Sequence, residues 1–227
     1  MVNILHATKP ATINNIFIQL QQHYGHLAWW PAETEYEMML GAILTQNTNW
    51  KNVEKALANL TGTLTENITP QQILAMPLDT LALLIRSSGY YNQKAIKVKA
   101  LTQWFQGYDF DISKVRHVDG HDLRKELLTI NGIGPETADS ILVYALDKRF
   151  FIIDNYTRRI LHRIGFELPT EYDELRLLLE QHIPRNITTY QQYHALLVEH
   201  AKRYCTKIPQ CQHCPLAGSC QKNIELP

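Results

Sequence analysis

The sequence predicts an all-α protein, because apolar residues recur at helical spacing along nearly the whole chain. No stretch alternates polar and apolar residues for long enough to indicate a β-sheet. Helix-capping signals support this class, since Thr34 and Thr69 each stand directly before a helical run. We expect about ten helices in two lobes, one of residues 34–149 and one of residues 1–33 with 150–227.

Each helix is placed by the spacing of its apolar residues and by the residue that begins or ends it. In the first helix, Ile13, Ile16 and Leu20 share one face. Asp79 and Gly89 are expected to begin and end a later helix, and Thr caps open the last two. The predicted helices are residues 1–30, 36–46, 51–60, one from residue 70, 80–88, 92–106, 120–128, one from residue 135, one opened by residue 154, 170–182 and 189–204.

The most informative stretch, residues 127–159, contains a glycine hairpin between two helices. Gly132 and Gly134 allow a tight turn and a close approach to the backbone. Pro135 follows at a position that suits the first residue of a helix. The free N–H groups of that helix suit a phosphate oxygen, although an ordinary helix connection with a Gly C-cap would give the same pattern.

Asp154 follows the apolar segment of residues 150–153 and precedes another helical run. Burial and a helix dipole both act on a carboxylate in such a place, which makes Asp154 a candidate catalytic group. Asp is also a common N-cap, and the two roles are compatible.

The cysteines are crowded into the C-terminal segment with the spacing C-x5-C-x2-C-x5-C. This crowding, in a chain whose first residues do not resemble a signal peptide, favours a metal site over disulfides. The spacing alone leaves zinc and a [4Fe-4S] cluster open. The candidate ligands are Cys205, Cys211, Cys214 and Cys220.

The composition is that of a globular protein with no membrane partner. The chain has 227 residues, 45% of them hydrophobic, and no apolar run of the length that spans a bilayer. We therefore expect a cytoplasmic protein. The net charge is zero, but residues 86–107 and 201–222 carry basic side chains and no acidic ones. These segments are either solvated helix faces or basic stripes that bind phosphate groups. In the second case Lys94 is a candidate phosphate contact.

Adjacent aromatic residues stand at Trp29 and Trp30, before Pro31. Neighbouring side chains diverge, so at least one of the two is expected to be accessible. They either pack in a core and at an interface or stack on a nucleobase. Gln46 and Trp50 flank a polar run that follows a buried helix.

Residues 127–159 resemble the helix-hairpin-helix DNA glycosylase superfamily, which includes endonuclease III and the adenine-mismatch and alkylpurine glycosylases. The resemblance covers nearly the whole chain. It implies that the hairpin of Gly132 and Gly134 binds DNA phosphate and that Asp154 is essential for base excision. It also implies that Glu136 occupies the position of the nucleophilic Lys of bifunctional members.

Two further blocks are similar to 3-methyladenine DNA glycosylase III and its relatives. They read GAILTQNTNWKNVEKAL (residues 41–57) and SSGYYNQKA (residues 87–95). With Trp29 and Trp30, they favour the alkylpurine branch, and the resemblance implies that Gln46 enters the DNA at the extruded nucleotide. Relatives with four C-terminal cysteines carry a [4Fe-4S] cluster, usually with a first gap of six residues where this chain has five, so zinc stays as the alternative.

The resulting prediction is a monomeric, monofunctional DNA glycosylase of base excision repair. It would extrude a damaged base, most simply an alkylated purine, from double-stranded DNA and hydrolyse the glycosidic bond with help from Asp154. Trp29, Trp30, Gln46 and Trp50 would surround the extruded base in a cleft between the lobes. The alternatives are a bifunctional endonuclease III-type glycosylase and AP lyase for oxidised pyrimidines, and a non-catalytic DNA-binding module.

Overall fold

The protein is helical in every regular element of the described residues, which confirms the predicted all-α class. The computed structural model describes residues 12–27, 32–64 and 67–224. Two short 3-10 helices, Arg86–Ser88 and Cys211–His213, accompany the α-helices. Helices α1 to α12 span Ile13–Tyr24, Glu35–Leu44, Trp50–Leu64, Pro70–Ala75, Leu78–Leu84, Tyr91–Gln106, Ile112–His117, Gly120–Thr129, Pro135–Tyr144, Asn155–Ile164, Tyr172–His182 and Ile187–Arg203.

The chain divides into two compact units. One unit spans Trp30–Lys148 and contains α2 to α9, and the other combines Met1–Trp29 with Arg149–Pro227 and contains α1 and α10 to α12. The expected lobes had borders a few residues away, at positions 34 and 149. Within the described ranges, no helix is long and apolar enough to cross a membrane.

In the unit of α2 to α9, polar contacts inside the core fix the packing of the helices. The hydroxyls of Tyr36 and Thr102 lie 2.7 Å apart in the interior. Arg124 on α8 and Asp139 on α9 form a buried ion pair, with Nε 2.6 Å from Oδ1. This pair joins the two helices that flank the glycine hairpin. The position of the hairpin is therefore set by the packing of α8 against α9 as well as by the turn itself.

The other unit is built around aromatic residues of α12. Tyr190 and Tyr193 are nearly fully buried and pack edge-on against Phe151. The Tyr193 hydroxyl donates to the carbonyl of Ile13 at 2.8 Å, and the Phe151 N–H donates to the Glu180 carboxylate at 2.9 Å. The extended segment that leads to Asp154 is therefore fixed by both side chains and backbone.

Several helix starts differ from the prediction by one to three residues. Asn186, and not Thr189, caps α12, since its side chain accepts the Thr189 N–H at 2.7 Å. Likewise Glu171 precedes α11 where Thr170 was expected, and Asp79 lies inside the first turn of α5. The first helix begins at Ile13 within the described residues, and α7 was missed, although Asp111 caps it.

Candidate active site and cysteine loop

The glycine hairpin has one strained turn position and one open position. Gly132 has a φ of +86°, and a Cβ there would lie 2.3 Å from Cε of Lys97. Only glycine satisfies both constraints. Gly134 has an ordinary φ of −91°, serves as the N-cap of α9 and has open space where a Cβ would stand. A phosphate oxygen can therefore approach the start of α9 at Gly134 without a side chain in the way.

Gln46 lies against the hairpin. Its Nε2 donates to the Gly132 carbonyl at 3.1 Å and to the Thr137 hydroxyl at 2.9 Å. Its Oε1 accepts a hydrogen bond from Lys97 Nζ at 2.6 Å. Gln46 thus braces the hairpin and keeps the Lys97 ammonium next to it, a contact that its sequence position did not indicate.

Asp154 is the N-cap of α10, as its position before a helical run predicted. Its Oδ1 accepts the Thr157 N–H at 2.7 Å, and the residue is 9% exposed. Its Oδ2 lies 3.6 Å from Nε2 of His194 on α12. Burial raises the pKa of the Asp154 carboxyl, but His194 and the Thr157 amide lower it further, so the pKa lies below its ordinary value. The site therefore holds a buried, ionised carboxylate.

His194 was missed by the sequence analysis. It lies on α12 between the buried Tyr190 and Leu197, and the buried His200 stands on the same helix, so a histidine there indicates core packing as readily as a functional site. The signal in the sequence is that titratable residues interrupt this apolar face. Its proximity to Asp154 depends on the packing of α12 against α10, which spacing along the chain does not reveal.

The predicted phosphate contact of Lys94 is wrong in this structure. Lys94 is 2% exposed, and its Nζ donates to the carbonyls of Leu44 and Ser88 at 2.8 and 2.7 Å. Burial, and then the charge of Lys97, lowers the pKa of Lys94 to about 8. Lys99 likewise donates to carbonyls, so residues 86–107 do not form a continuous basic stripe.

The remaining predicted site residues lie at different places. Trp29 and Trp30 fall outside the described residues. Trp50 is half-buried and begins α3. Glu136 is exposed in the first turn of α9, directly after the hairpin. A further exposed aromatic, Tyr90, is 72% accessible and holds a left-handed backbone with a φ of 47°.

The four cysteines come together in one loop. All are free thiols, and all line a cavity of about 30 Å³ together with apolar residues of α10. Burial raises the pKa of Cys214 to about 11, and the neighbouring cysteines add to this effect. Crowded, partly buried thiols of this kind become thiolates when a metal cation binds them. The donor set therefore fits an iron–sulfur cluster or a zinc ion, the two groups considered above.

Helix α10 connects Asp154 to the cysteine loop. Two arginines of this helix donate to loop carbonyls, Nε of Arg159 to Cys205 at 2.9 Å and Nη1 of Arg163 to Thr206 at 2.6 Å. The Arg163 guanidinium also lies 3.4 Å from Sγ of Cys205. The chain after the last cysteine returns to α10, so the loop is attached to the helix that Asp154 caps.

Comparison with known proteins decides the family. Residues 40–185 match the model of the HhH-GPD superfamily base excision DNA repair proteins. The chain belongs to this superfamily. The matched range includes the hairpin, α9 and Asp154, and members of the superfamily are DNA glycosylases.

Relatives of this HhH-GPD protein span nearly its whole length. A provisionally named DNA repair glycosylase of Methanocaldococcus jannaschii is 44% identical over 215 residues, which cover 93% of this chain and 97% of that protein. Endonuclease III of Sulfolobus acidocaldarius is 30% identical over 84% of this chain and 83% of its own. The crystal structure of the H. pylori 3-methyladenine DNA glycosylase bound to 1,N6-ethenoadenine superposes with a TM-score of 0.75 at 29% identity, covering 85% and 98% of the two chains. The protein is therefore an HhH-GPD DNA glycosylase of base excision repair.

Proposed function

We propose that this glycosylase is monofunctional and hydrolyses alkylated purine bases from double-stranded DNA, acting as a monomer. The observation that carries this proposal is the buried Asp154 carboxylate at the start of α10, with one oxygen bound to the helix backbone. Glycosidic bond cleavage passes through an oxocarbenium-like sugar that carries positive charge. A fixed carboxylate in a desolvated site stabilises this charge and orients the attacking water.

Extrusion of the base costs a few kcal/mol, which contacts to the DNA must offset. The open space at Gly134, at the start of α9, suits a backbone phosphate, with the Lys97 ammonium held near the hairpin by Gln46. In this proposal Gln46 leaves the hairpin to fill the gap in the duplex. Trp29, Trp30 and Trp50 would stack on the extruded base.

Tyr90 is a further DNA contact in this proposal. Its side chain is 72% exposed, and its left-handed backbone is unfavourable for a residue other than glycine. Both features suit a residue that packs against bases once DNA is bound.

The monofunctional part of the proposal rests on Glu136. In the bifunctional members that this chain resembles, the equivalent position carries the Lys that attacks the sugar. A carboxylate cannot form the Schiff base that this lyase reaction needs. Glu136 is instead favoured in the first turn of α9 by the helix dipole.

Alkylated purines are the proposed substrates because of both chemistry and similarity. An N3- or N7-alkylated purine is already cationic, so it leaves with little acid catalysis and suits an aromatic pocket. The likeness to the H. pylori 3-methyladenine DNA glycosylase extends over most of the chain. The second candidate is an endonuclease III-type activity on oxidised pyrimidines, which the Sulfolobus acidocaldarius relative favours.

For the cysteine loop we propose a [4Fe-4S] cluster, with zinc as the alternative. The support for the cluster is the resemblance to helix-hairpin-helix glycosylases with four C-terminal cysteines, together with the four free thiols that line one small cavity. Four thiolates are also a donor set for zinc. When bound, the cluster would crosslink the loop, and the residues of α10 would position it.

A base-release assay tests this function. Duplexes that carry 3-methyladenine, 7-methylguanine, hypoxanthine, thymine glycol or uracil are incubated with the enzyme, with and without borohydride. We expect release of the alkylated purines, no strand cleavage and no borohydride-trapped adduct. Release of thymine glycol with a trapped adduct would support the endonuclease III-type activity instead.

A further inference from the structure

A buried histidine faces the carboxylate to which the chemistry is assigned. His194 is 5% exposed, and its Nε2 lies 3.6 Å from Oδ2 of Asp154. The other oxygen, Oδ1, accepts the Thr157 N–H at 2.7 Å. Each carboxylate oxygen of Asp154 therefore faces a group from a different helix, Oδ1 one from α10 and Oδ2 one from α12.

We infer that His194 is a positioning residue, which fixes the plane of the Asp154 carboxylate and keeps it ionised. This inference rests on the proposed function of Asp154. A single hydrogen bond to Oδ1 leaves the carboxylate free to rotate about the Cβ–Cγ bond. A second group opposite Oδ2 removes that freedom, and catalysis depends on such fixed orientation.

The electrostatics of the site agree with this role. Burial alone favours the neutral acid and raises the pKa of Asp154, whereas His194 and Thr157 act in the opposite direction. With a proton on Nε2, the imidazole directs an N–H at Oδ2 and so favours the charged form of the carboxylate, which the positive sugar needs.

The distance of 3.6 Å is longer than that of a normal N–H···O bond, which is about 2.7–3.2 Å. Catalytic hydrogen bonds are often long in a free enzyme and shorten when substrate binds. We therefore expect the contact between His194 and Asp154 to tighten when damaged DNA binds.

Two variants test the inference by activity. His194→Gln keeps an N–H donor, whereas His194→Phe has a similar size and no donor. We expect His194→Phe to lower the single-turnover rate of base release by up to about a hundredfold, with little change in affinity for the duplex. His194→Gln should recover most of the rate. If His194→Phe releases base at the wild-type rate, the inference is wrong.

A titration tests the inference without any excision. The carbon-13 signal of the Asp154 carboxyl is assigned by its absence in Asp154→Asn and followed against pH. We expect its pKa to lie below the ordinary value in the wild type and to rise above it in His194→Phe. An unchanged pKa of Asp154, even in a variant of lowered melting temperature, would assign His194 to packing alone.

The two levels of the proposal fail differently. Full base excision by Asp154→Asn would reject the proposed role of the carboxylate, and the His194 inference with it. An inactive Asp154→Asn beside a fully active His194→Phe would reject the inference alone.

Discussion

Single residues with two structural roles mark the functional parts of this glycosylase. Asp154 both caps α10 and presents a second oxygen to His194. Gln46 binds the hairpin in the free protein and is proposed to fill the gap that the extruded base leaves in the duplex. Lys94 has a structural role, because its buried ammonium group donates hydrogen bonds to two backbone carbonyls. The residue type alone does not distinguish a catalytic, a DNA-binding and a structural side chain. The partners that each side chain contacts make this distinction.

At Glu136, a change to Lys should add a new activity. Glu136→Lys places an amine at the start of α9, where bifunctional relatives are expected to carry their nucleophile. We predict weak strand cleavage at abasic sites and an adduct that borohydride traps. Glu136→Gln is the control and should gain neither. Trapping of the wild-type protein would contradict the monofunctional assignment.

At Trp29 and Trp30, replacement by Ala should weaken binding to damaged DNA. Stacking of a base on an aromatic side chain is worth about 1–3 kcal/mol. The measurement is the dissociation constant for a duplex with an alkylated purine, compared with that for undamaged DNA. Unchanged binding and turnover in both single variants would show that the residues are structural only.

Among the elements, the hairpin and its two helices act as one support. The turn at Gly132 packs on the Lys97 stem, while the Arg124–Asp139 pair joins α8 and α9. Helix α10 has a comparable role in the other unit, since Asp154 caps its start and Arg159 and Arg163 bind the cysteine loop. The hairpin and Asp154 each stand at the start of a helix, and further along its length that helix is bound to another part of its own unit.

The two hairpin glycines should respond differently to Ala. Gly132→Ala forces a Cβ onto a positive φ and against Lys97, so it should lower the unfolding free energy by about 1–3 kcal/mol and also weaken DNA binding. Gly134→Ala meets no neighbour and should fold normally, but its methyl group obstructs the phosphate approach. Equal stability of both variants would contradict the turn geometry, and unchanged DNA binding by Gly134→Ala would contradict the phosphate site.

The buried Arg124–Asp139 ion pair between α8 and α9 should contribute strongly to the unfolding free energy. Asp139→Asn removes the negative charge that the buried Arg124 guanidinium contacts at 2.6 Å, and we expect a loss of about 3–5 kcal/mol in chemical denaturation. Asp122→Asn on α8 is the matched control, because Asp122 pairs with Lys125 at the exposed surface and should have little effect. An equal loss of unfolding free energy in both variants would mean that the buried ion pair contributes no more than the exposed one.

For the whole molecule, the sequence predicted the fold class, the hairpin, the N-cap role of Asp154 and the crowding of the cysteines. These features follow from local patterns: helical spacing, glycine pairs, capping residues and cysteine spacing. The position of His194 and the burial of Lys94 depend on the contacts between helices that are distant in the chain. Local patterns carry no information on such packing, which is why the prediction of a phosphate contact at Lys94 fails.

The cysteine loop should contribute to the stability of the whole unit that contains it. We predict that protein purified without oxygen carries about four iron atoms per chain and the broad visible absorbance of an iron–sulfur cluster. Cys214→Ser should lose both and lower the melting temperature, while Ser219→Ala, in the same loop, should retain them. Stoichiometric zinc without iron would overturn the cluster assignment in favour of the alternative.

The central claim is that the ionised Asp154 carboxylate drives hydrolysis of an alkylated purine. The most direct measurement is the single-turnover rate of base release from a 7-methylguanine or 3-methyladenine duplex by Asp154→Asn, with the exposed Asp79→Asn as control. Asn preserves the size and the capping oxygen but not the charge. We predict a folded protein that binds the duplex and releases base at least about a hundredfold more slowly than the wild type. Release at the wild-type rate by Asp154→Asn would contradict the mechanism.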